Sequence, residues 1–272
     1  MFYDYISLNE DMACFNEKDK FSMGKSVEGR DIWCIKLGNG KKRIVIAAAF
    51  HGLEYLTAAF LMRFIKENKK ELFEGANIYA VPMVNPDGVN IAVNGLDVNN
   101  PYHADIIKSM GTLDFKNVWQ ANVRGVDLNH NYNAGWSKVV TKPSPTKYGG
   151  EYPESEPETQ AMVKLVKEVR PHMLIALHSQ GEEIYYEFDG KCAKGAKELA
   201  KEMAQAGEYK ACRPEGTAVF GGFKDWYINE FMGLGYTIEI GKGKNPLTDL
   251  DEVYKKAEKV LMCAIEGVKG GC

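Results

Sequence analysis

Two histidines and two glutamates stand where apolar segments of this sequence give way to polar residues. His51 and Glu54 follow an apolar run at a spacing of three residues, which places both side chains on one side of a first helical turn. His178 ends a second apolar run, and Glu239 interrupts a third. Imidazole and carboxylate groups suit a borderline divalent ion, with zinc the first choice. A catalytic zinc needs three protein ligands and one open position, and His51, Glu54 and His178 supply that number.

Glu239 has a different predicted role, because carboxylates are rarely buried without a partner. A glutamate beside a metal site can act as a general base towards water, and afterwards as a general acid towards a departing amine. Glu239 is therefore the candidate proton-transfer residue beside the candidate metal site.

Each pattern also has a plainer interpretation when it is taken alone. A His–Glu pair at this spacing usually lies on a solvated helix face, and a lone histidine is commonly hydrogen-bonded in a turn. Glu239 could face solvent at a strand edge, and the polar segment 124–131 is typical of a turn-rich loop. His172 precedes its apolar run and is expected to be structural, whereas His103 has no partner motif. These alternatives stay open at the level of single motifs.

Short apolar segments alternate with helical periodicity, which predicts an α/β fold with helices on the faces of a sheet. Open α/β sheets carry their sites at the carboxyl ends of strands, where the candidate ligands stand. Residues 85–88 resemble a turn followed by a long loop to about residue 123, and Ser155 is a predicted helix N-cap with Glu158 reaching back. The predicted strands are 31–37, 43–50, 77–84, 173–177 and 235–240, and the predicted helices are 54–66, 155–169, 193–206 and 249–268.

The bulk properties exclude several classes of protein. The 272 residues show no linker or repeat, so we expect one catalytic domain over 1–272. A net charge of −3 does not favour nucleic-acid binding, and no run is apolar for the roughly 18 residues of a membrane span. The amino terminus lacks the features of a signal peptide and the six cysteines form no CxxC pair, which favours a cytoplasmic protein without disulfides. The sequence leaves the oligomeric state open.

Taken in order, seven short segments resemble the M14 (carboxypeptidase A-like) family of zinc peptidases. The resemblance implies a single α/β domain with a mixed, mainly parallel, twisted sheet flanked by helices. It implies one zinc ion per chain, bound by His51, Glu54 and His178, and makes Glu239 the catalytic glutamate. Asn129 matches the asparagine that binds the substrate carboxylate. The matching segments are 24–30, 51–54, 85–88, 125–129, 155–158, 178–181 and 237–239.

Three positions depart from the family pattern. His130 stands where the exopeptidases usually have arginine, and imidazole is shorter than guanidinium and makes no bidentate fork. Trp119-Gln120 occupies the position of the oxyanion arginine, so Arg124 is the candidate oxyanion donor. Tyr227 lies one residue from the position of the flexible substrate tyrosine and is the candidate for that role. The departure at His130 favours an unusual substrate over an ordinary peptide C-terminus.

The segments 178–185 and 237–247 resemble the subfamily that cleaves the γ-D-glutamyl–diamino acid bond of bacterial cell-wall peptides. This resemblance implies a peptide or muropeptide substrate of the γ-D-Glu–meso-diaminopimelate type, and with no export signal it favours peptide recycling in the cytosol. An ordinary metallocarboxypeptidase that releases C-terminal amino acids is the alternative, as is an N-acyl-amino-acid deacylase of related fold. A zinc-binding module without catalysis is a further alternative, which Glu239 argues against.

Overall fold

The core of the molecule is one mixed sheet. The computed structural model describes residues 2–68, 70–110, 115–137, 140–213, 220–243 and 249–270. Within these residues eight strands pair in the order β1-β2-β4-β3-β5-β8-β6-β7. The strands are β1 (Lys20–Lys25), β2 (Asp31–Gly38), β3 (Lys42–Ala47), β4 (Ala76–Val81), β5 (Met173–His178), β6 (Glu183–Tyr185), β7 (Lys210–Cys212) and β8 (Leu234–Glu239).

The four central strands are parallel, and the outer ones make the sheet mixed. Strand β3 pairs in parallel with β4 and β5, and β5 pairs in parallel with β8. Strands β2 and β6 run antiparallel to their inner neighbours β4 and β8. The carboxyl ends of β3, β5 and β8 therefore meet at one edge of the sheet, as expected for an α/β site. The predicted mainly parallel fold is confirmed.

Helices cover both faces of this sheet, because its central strands are apolar on both sides. Along β3, Ile44 and Ile46 belong to one hydrophobic cluster, whereas Val45 and Ala47 belong to the other. The first cluster includes residues of α1, α2, α7 and α9, and the second includes residues of α6 and α8. The helices are α1 (Tyr5–Met12), α2 (Tyr55–Glu67), α3 (Lys70–Phe73), α4 (Pro86–Asn94), α5 (Pro101–Met110), α6 (Pro157–Val169), α7 (Ala196–Gly207), α8 (Phe223–Phe231) and α9 (Leu250–Lys269).

The segment after β4 is helical, so the predicted turn at 85–88 and the predicted long loop were wrong. The side chain of Asn85 accepts a hydrogen bond from the backbone N–H of Gly88, and Pro86 occupies the first turn of α4. Asparagine followed by proline is as typical of a helix start as of a turn. Helix α5 occupies ten residues of the remaining stretch.

The start of α6 also differs from the prediction. Glu156, not Ser155, is the N-cap residue, and it makes no side-chain capping bond. Glu158 is buried and accepts the backbone N–H of Val27 from a distant segment, so it does not reach back to the helix start. Sequence analysis also missed strands β1, β6 and β7, which are short or lie at the sheet edges.

Two further findings concern membrane spans and the predicted segment 237–247. No helix among them is long and apolar enough to cross a membrane. Residues 244–247 of the segment that resembles the cell-wall peptidases lie outside the described residues.

Candidate metal centre

His51, Glu54 and His178 converge at the carboxyl edge of the sheet. His51 follows β3, Glu54 ends a single 3₁₀ turn, and His178 is the last residue of β5. The Nδ1 atom of His51 lies 2.7 Å from one carboxylate oxygen of Glu54, and Nδ1 of His178 lies 3.0 Å from the other. The possible ligand atoms all lie within 4.8 Å of one another. Atoms that share one zinc ion at about 2.0–2.2 Å are about 3–4 Å apart, so this donor set fits one ion.

His51 is held in place by Asp127. The Nε2 atom of His51 lies 3.1 Å from Asp127 Oδ1, while Asp127 Oδ2 accepts the backbone N–H of Lys147 at 2.9 Å. Such a carboxylate fixes the ring orientation and the tautomer of a metal-binding histidine. Sequence analysis assigned no role to Asp127, although its place two residues before Asn129 was the available signal.

His178 is positioned in a different way. Its ring stacks on Phe50 with centroids 5.2 Å apart and an angle of 19°. Its Nε2 atom is buried and has no hydrogen-bond partner among the described residues. His178 also pairs in register with Glu239 of β8, and the backbone N–H of Ile240 donates to the His178 carbonyl at 2.8 Å. Strand pairing therefore fixes His178 and Glu239 side by side.

The electrostatics of the group favour positive charge at its centre. Burial alone would lower the pKa of His51, but the carboxylates of Glu54 and Asp127 raise it well above its ordinary value. Burial alone would raise the pKa of Glu54, but the imidazoles of His51 and His178 lower it to about 2. Opposite charges at hydrogen-bond distance outweigh desolvation in both cases. A divalent cation would receive the same stabilisation.

Glu239 stands next to this group at the end of β8. It is partly exposed, and burial together with the nearby charge of Glu54 raises its pKa to about 7, although His178 opposes the shift. A carboxyl group with a pKa near neutrality can both accept and release a proton at physiological pH. The arrangement therefore combines a metal-binding group with a proton-transfer group.

Asn129 and His130 border the same edge from another segment. The side-chain oxygen of Asn129 accepts the backbone N–H of Phe223 at 3.1 Å, which leaves the two N–H donors of its amide for a ligand. Nδ1 of His130 lies 3.1 Å from the carbonyl oxygen of Phe220, and its Nε2 lies 4.0 Å from Asp127. The structure thus links these two of the three predicted substrate-binding residues to segment 220–223 and, through Asp127, to His51.

Comparison with known proteins identifies the family. A family model described as zinc carboxypeptidase matches residues 14–259. The chain belongs to the zinc carboxypeptidase family. It is 30% identical to γ-D-glutamyl-L-diamino acid endopeptidase 1 of Lysinibacillus sphaericus, over 97% of this chain and 72% of that protein. It is also 33% identical to the uncharacterized protein YqgT of Bacillus subtilis, over 89% of this chain and 70% of that protein.

Solved structures support the same fold. Bovine thrombin-activatable fibrinolysis inhibitor, in complex with tick carboxypeptidase inhibitor, superposes with a TM-score of 0.80 at 20% identity. The match covers 100% of this chain and 99% of that one. The predicted family and the predicted class of zinc-dependent peptidase are confirmed, with His51, Glu54 and His178 as the candidate zinc site.

Tyr227 and Arg124 are the remaining predicted site residues of this zinc carboxypeptidase. Tyr227 is only 1% exposed, and its hydroxyl donates to the carbonyl of Pro171, just before the amino end of β5. It is a core residue at the edge of the sheet opposite to His178, which corrects its predicted contact with substrate. Arg124 keeps 46% of its side chain exposed and lies 3.5 Å from Glu156 through one guanidinium nitrogen. Its other N–H donors remain open to a ligand, and its role as oxyanion donor stays a prediction.

Two residues of the matching segments, Asn85 and Gly52, pack against the chain next to the metal centre. The amide of Asn85 donates to the carbonyls of Phe50, Gln120 and Ala121, which ties the segment before His51 to segment 119–121. Gly52 must be glycine, because a Cβ there would lie 2.3 Å from the carbonyl oxygen of Gly88. Close backbone packing therefore surrounds the segment that carries His51.

Three buried acids, Asp87, Glu156 and Glu158, form a second group, which we call the anchor group. It connects the matching segments 24–30, 85–88 and 155–158. Asp87 accepts hydrogen bonds from Ser26 Oγ at 2.8 Å and from the backbone N–H of Glu28 at 2.9 Å, and it pairs with Arg30 at 2.6 Å. Glu156 accepts the amide of Asn122 at 2.8 Å. The anchor group thus fastens the loop before β2 and the segment before Asp127 to helices α4 and α6.

Proposed function

We propose that the protein hydrolyses the γ-D-glutamyl–diamino acid amide bond of bacterial cell-wall peptides, using a zinc ion bound by His51, Glu54 and His178. The observation that carries the catalytic part is the register pairing of His178 with Glu239, which sets a partly exposed carboxyl group beside the metal-binding atoms. The substrate class is supported by the similarity to the L. sphaericus endopeptidase, which extends over 97% of this chain.

The proposed chemistry assigns a task to each residue. A zinc ion in this site would lower the pKa of water and polarise the scissile carbonyl. Glu239 takes a proton from the attacking water and delivers it to the departing amine. Asn129 uses its free amide donors to bind a carboxylate of the substrate, and Arg124 donates to the developing oxyanion.

His130 favours this substrate over an ordinary peptide C-terminus. Its Nδ1 is engaged with the Phe220 carbonyl, so a single ring nitrogen, Nε2, faces the remaining space near Asp127. Recognition of a free C-terminal carboxylate by a bidentate guanidinium fork is not possible at this position. An ordinary metallocarboxypeptidase is the second candidate function, since Asn129 and the candidate zinc site would serve it equally well.

Metal analysis and a product assay test the proposal together. Protein purified without chelator is expected to contain about one zinc per chain. It is expected to split L-Ala-γ-D-Glu-meso-diaminopimelate at the γ-D-Glu bond, with products identified by mass spectrometry. Zinc with cleavage of ordinary C-terminal residues alone would establish the carboxypeptidase alternative, and cleavage of N-acetyl amino acids alone would establish a deacylase. Protein that neither contains nor takes up zinc would refute the metal centre.

We also propose that residues 1–272 act as one catalytic domain and that the protein works in the cytosol. The domain proposal predicts a single cooperative unfolding transition in calorimetry. Fractionation of the source cells, followed by immunodetection, tests the location.

A further inference from the structure

Glu183 borders the same space as the catalytic candidate Glu239. It is the first residue of β6, and its Cα pairs with that of Glu239 across the antiparallel strands. A Cβ placed on Gly181 would lie 3.4 Å from Glu183 Oε2 and 3.5 Å from the Cβ of Glu239. Because Gly181 has no side chain, the gap between the two carboxylate-bearing side chains stays open. The charge of Glu183 also contributes to the raised pKa of Glu239.

Tyr185 orients the carboxylate of Glu183. The hydroxyl of Tyr185 donates to Glu183 Oε2 at 2.6 Å, and both side chains stand on the same face of β6 because they are two residues apart. The other oxygen, Oε1, has no hydrogen-bond partner in the described part of the chain. Glu183 is partly exposed, so this oxygen is open to a ligand.

The neighbouring Glu182 provides a contrast within the same chain. Its two oxygens lie 2.8 Å from Lys242 Nζ and 3.5 Å from Lys256 Nζ, so its charge is balanced. No lysine, arginine or histidine in the described ranges pairs with Glu183. A half-buried carboxylate beside Glu239 favours a positively charged partner. The protein itself supplies none within those ranges, which points to the ligand.

We propose that Glu183, held by Tyr185, binds a positively charged group of the substrate next to the scissile bond. A diamino acid carries an ammonium group in addition to the nitrogen of the amide bond, and that ammonium is the group we assign to Glu183. This inference rests on the proposed function, because it presumes that the substrate lies beside Glu239. The inference adds to that function a residue, Glu183, that distinguishes diamino acid substrates from substrates with a neutral amino acid at this position.

Paired substrates test this assignment. L-Ala-γ-D-Glu-L-Lys and L-Ala-γ-D-Glu-L-norleucine differ in the terminal ammonium group and match closely in the rest of the side chain. The wild type is expected to favour the lysine substrate in kcat/KM by about 10- to 100-fold, the usual size of a hydrogen bond to a charged group. Glu183→Gln is expected to remove most of this preference, because the lysine substrate loses far more in kcat/KM than the norleucine substrate does. Tyr185→Phe is expected to reduce the preference to a smaller extent, because the carboxylate is kept but less well oriented.

Glu182→Gln is the matched control. It changes the adjacent carboxylate, which is already paired with lysines, and is expected to leave the substrate preference unchanged. Thermal melting of each variant checks that the fold is kept. An equal loss of kcat on both substrates in Glu183→Gln would overturn the proposal, because it would show that Glu183 acts on Glu239 and not on the substrate. An unchanged preference in Glu183→Gln would overturn it as well.

A binding measurement separates this inference from the proposed function. Calorimetric titration of the zinc-loaded protein with free L-lysine and free L-norleucine needs no turnover. We expect tighter binding of L-lysine to the wild type, and equal binding of the two amino acids to Glu183→Gln. If the wild type cleaves neither γ-D-glutamyl peptide but shows this binding difference, the proposed function fails and the role of Glu183 stands. If it cleaves both peptides and binds both amino acids equally, the proposed function stands and the role of Glu183 fails.

Discussion

Two groups of buried carboxylates in this zinc carboxypeptidase differ in the direction in which their pKa values are shifted. In the metal centre, the pKa of Glu54 is lowered to about 2 and that of Asp127 lies below its usual range, because imidazoles surround them. In the anchor group, burial and neighbouring acids raise the pKa of Glu158 to about 8, and burial raises the pKa of Asp87 although Arg30 opposes the shift. Glu54 and Asp127 are thus kept charged, whereas Asp87 and Glu158 are pushed towards the neutral form.

The different pKa shifts follow from the groups that contact each carboxylate. Those contacts distinguish carboxylates of the candidate metal site from carboxylates that stabilise the fold. The carboxylates of the metal centre face ring nitrogens, which a cation can replace as the source of positive charge. Those of the anchor group accept backbone N–H groups, a side-chain amide and the Arg30 guanidinium from distant segments, so they fix loops. Burial alone does not mark a catalytic acid; the nature of its partners does.

The largest expected effect comes from removing a ligand of the metal centre. His178→Ala leaves two protein ligands, so zinc content should fall far below one per chain and kcat/KM should fall by more than about 100-fold. Metal analysis after dialysis, together with the peptide assay, measures both. His172→Ala is the matched control, because this histidine lies before the amino end of β5 and accepts the backbone N–H of Arg43 through Nδ1. Full zinc content in His178→Ala would break the assignment of the centre.

Replacing Glu239 separates proton transfer from metal binding. Glu239→Gln keeps the size of the side chain but removes its basic oxygen, so we expect about 100- to 10,000-fold lower kcat with zinc content unchanged. Single-turnover assays on zinc-loaded protein measure this change. Near-normal turnover by the zinc-loaded variant would exclude Glu239 as the general base.

Substitutions of Asp127 and Asp87 allow a direct comparison of the metal centre with the anchor group. Asp127→Asn should weaken zinc binding by about 10- to 100-fold, because the hydrogen bond that orients His51 loses its charge. Asp87→Asn should leave zinc affinity unchanged but lower the free energy of unfolding by about 1–3 kcal/mol, since it disrupts bonds from Ser26, Glu28 and Arg30. Chelator competition and urea unfolding give the two quantities. Equal effects of both substitutions on zinc affinity would remove the distinction drawn between the groups.

The anchor group also predicts a pH dependence of stability, which leaves zinc binding and turnover untouched. The pKa of Glu158 rises from its ordinary value of 4.5 to about 8 in the folded protein, so the folded state binds this proton more tightly than the unfolded state. The stabilisation is complete below about pH 4.5 and is lost as the pH rises through about 8. Glu158→Gln lacks this titration, so its urea midpoint should fall less than that of the wild type between about pH 5 and 8. Glu168→Gln, at an exposed position of the same helix, is the control; a parallel decline in Glu158→Gln and wild type would contradict the shift.

Much of the fold could be predicted because the central strands are apolar runs with abrupt polar ends. The predicted strand at 173–177 and the observed β5 differ by a single residue, and the predicted last helix agrees closely with α9. Strand β1 was missed because as an edge strand it exposes much of its surface and shows no apolar run. The helix at Pro86 was missed because an Asn-Pro pair starts both turns and helices.

In the candidate site, contacts between residues close in the sequence could be predicted, whereas contacts between distant residues could not. The amino-acid sequence by itself determined the ligand types and the three-residue spacing of His51 and Glu54, since one turn of chain brings these side chains together. Only the tertiary structure decided that His178, 124 residues beyond Glu54, meets the same carboxylate, and that Asp127 holds His51. It also decided that Tyr227 lies in the core and that Glu183 stands beside Glu239. These relations depend on which strands pair and in what register, and pairing is set by the packing of the whole sheet and not by any local pattern.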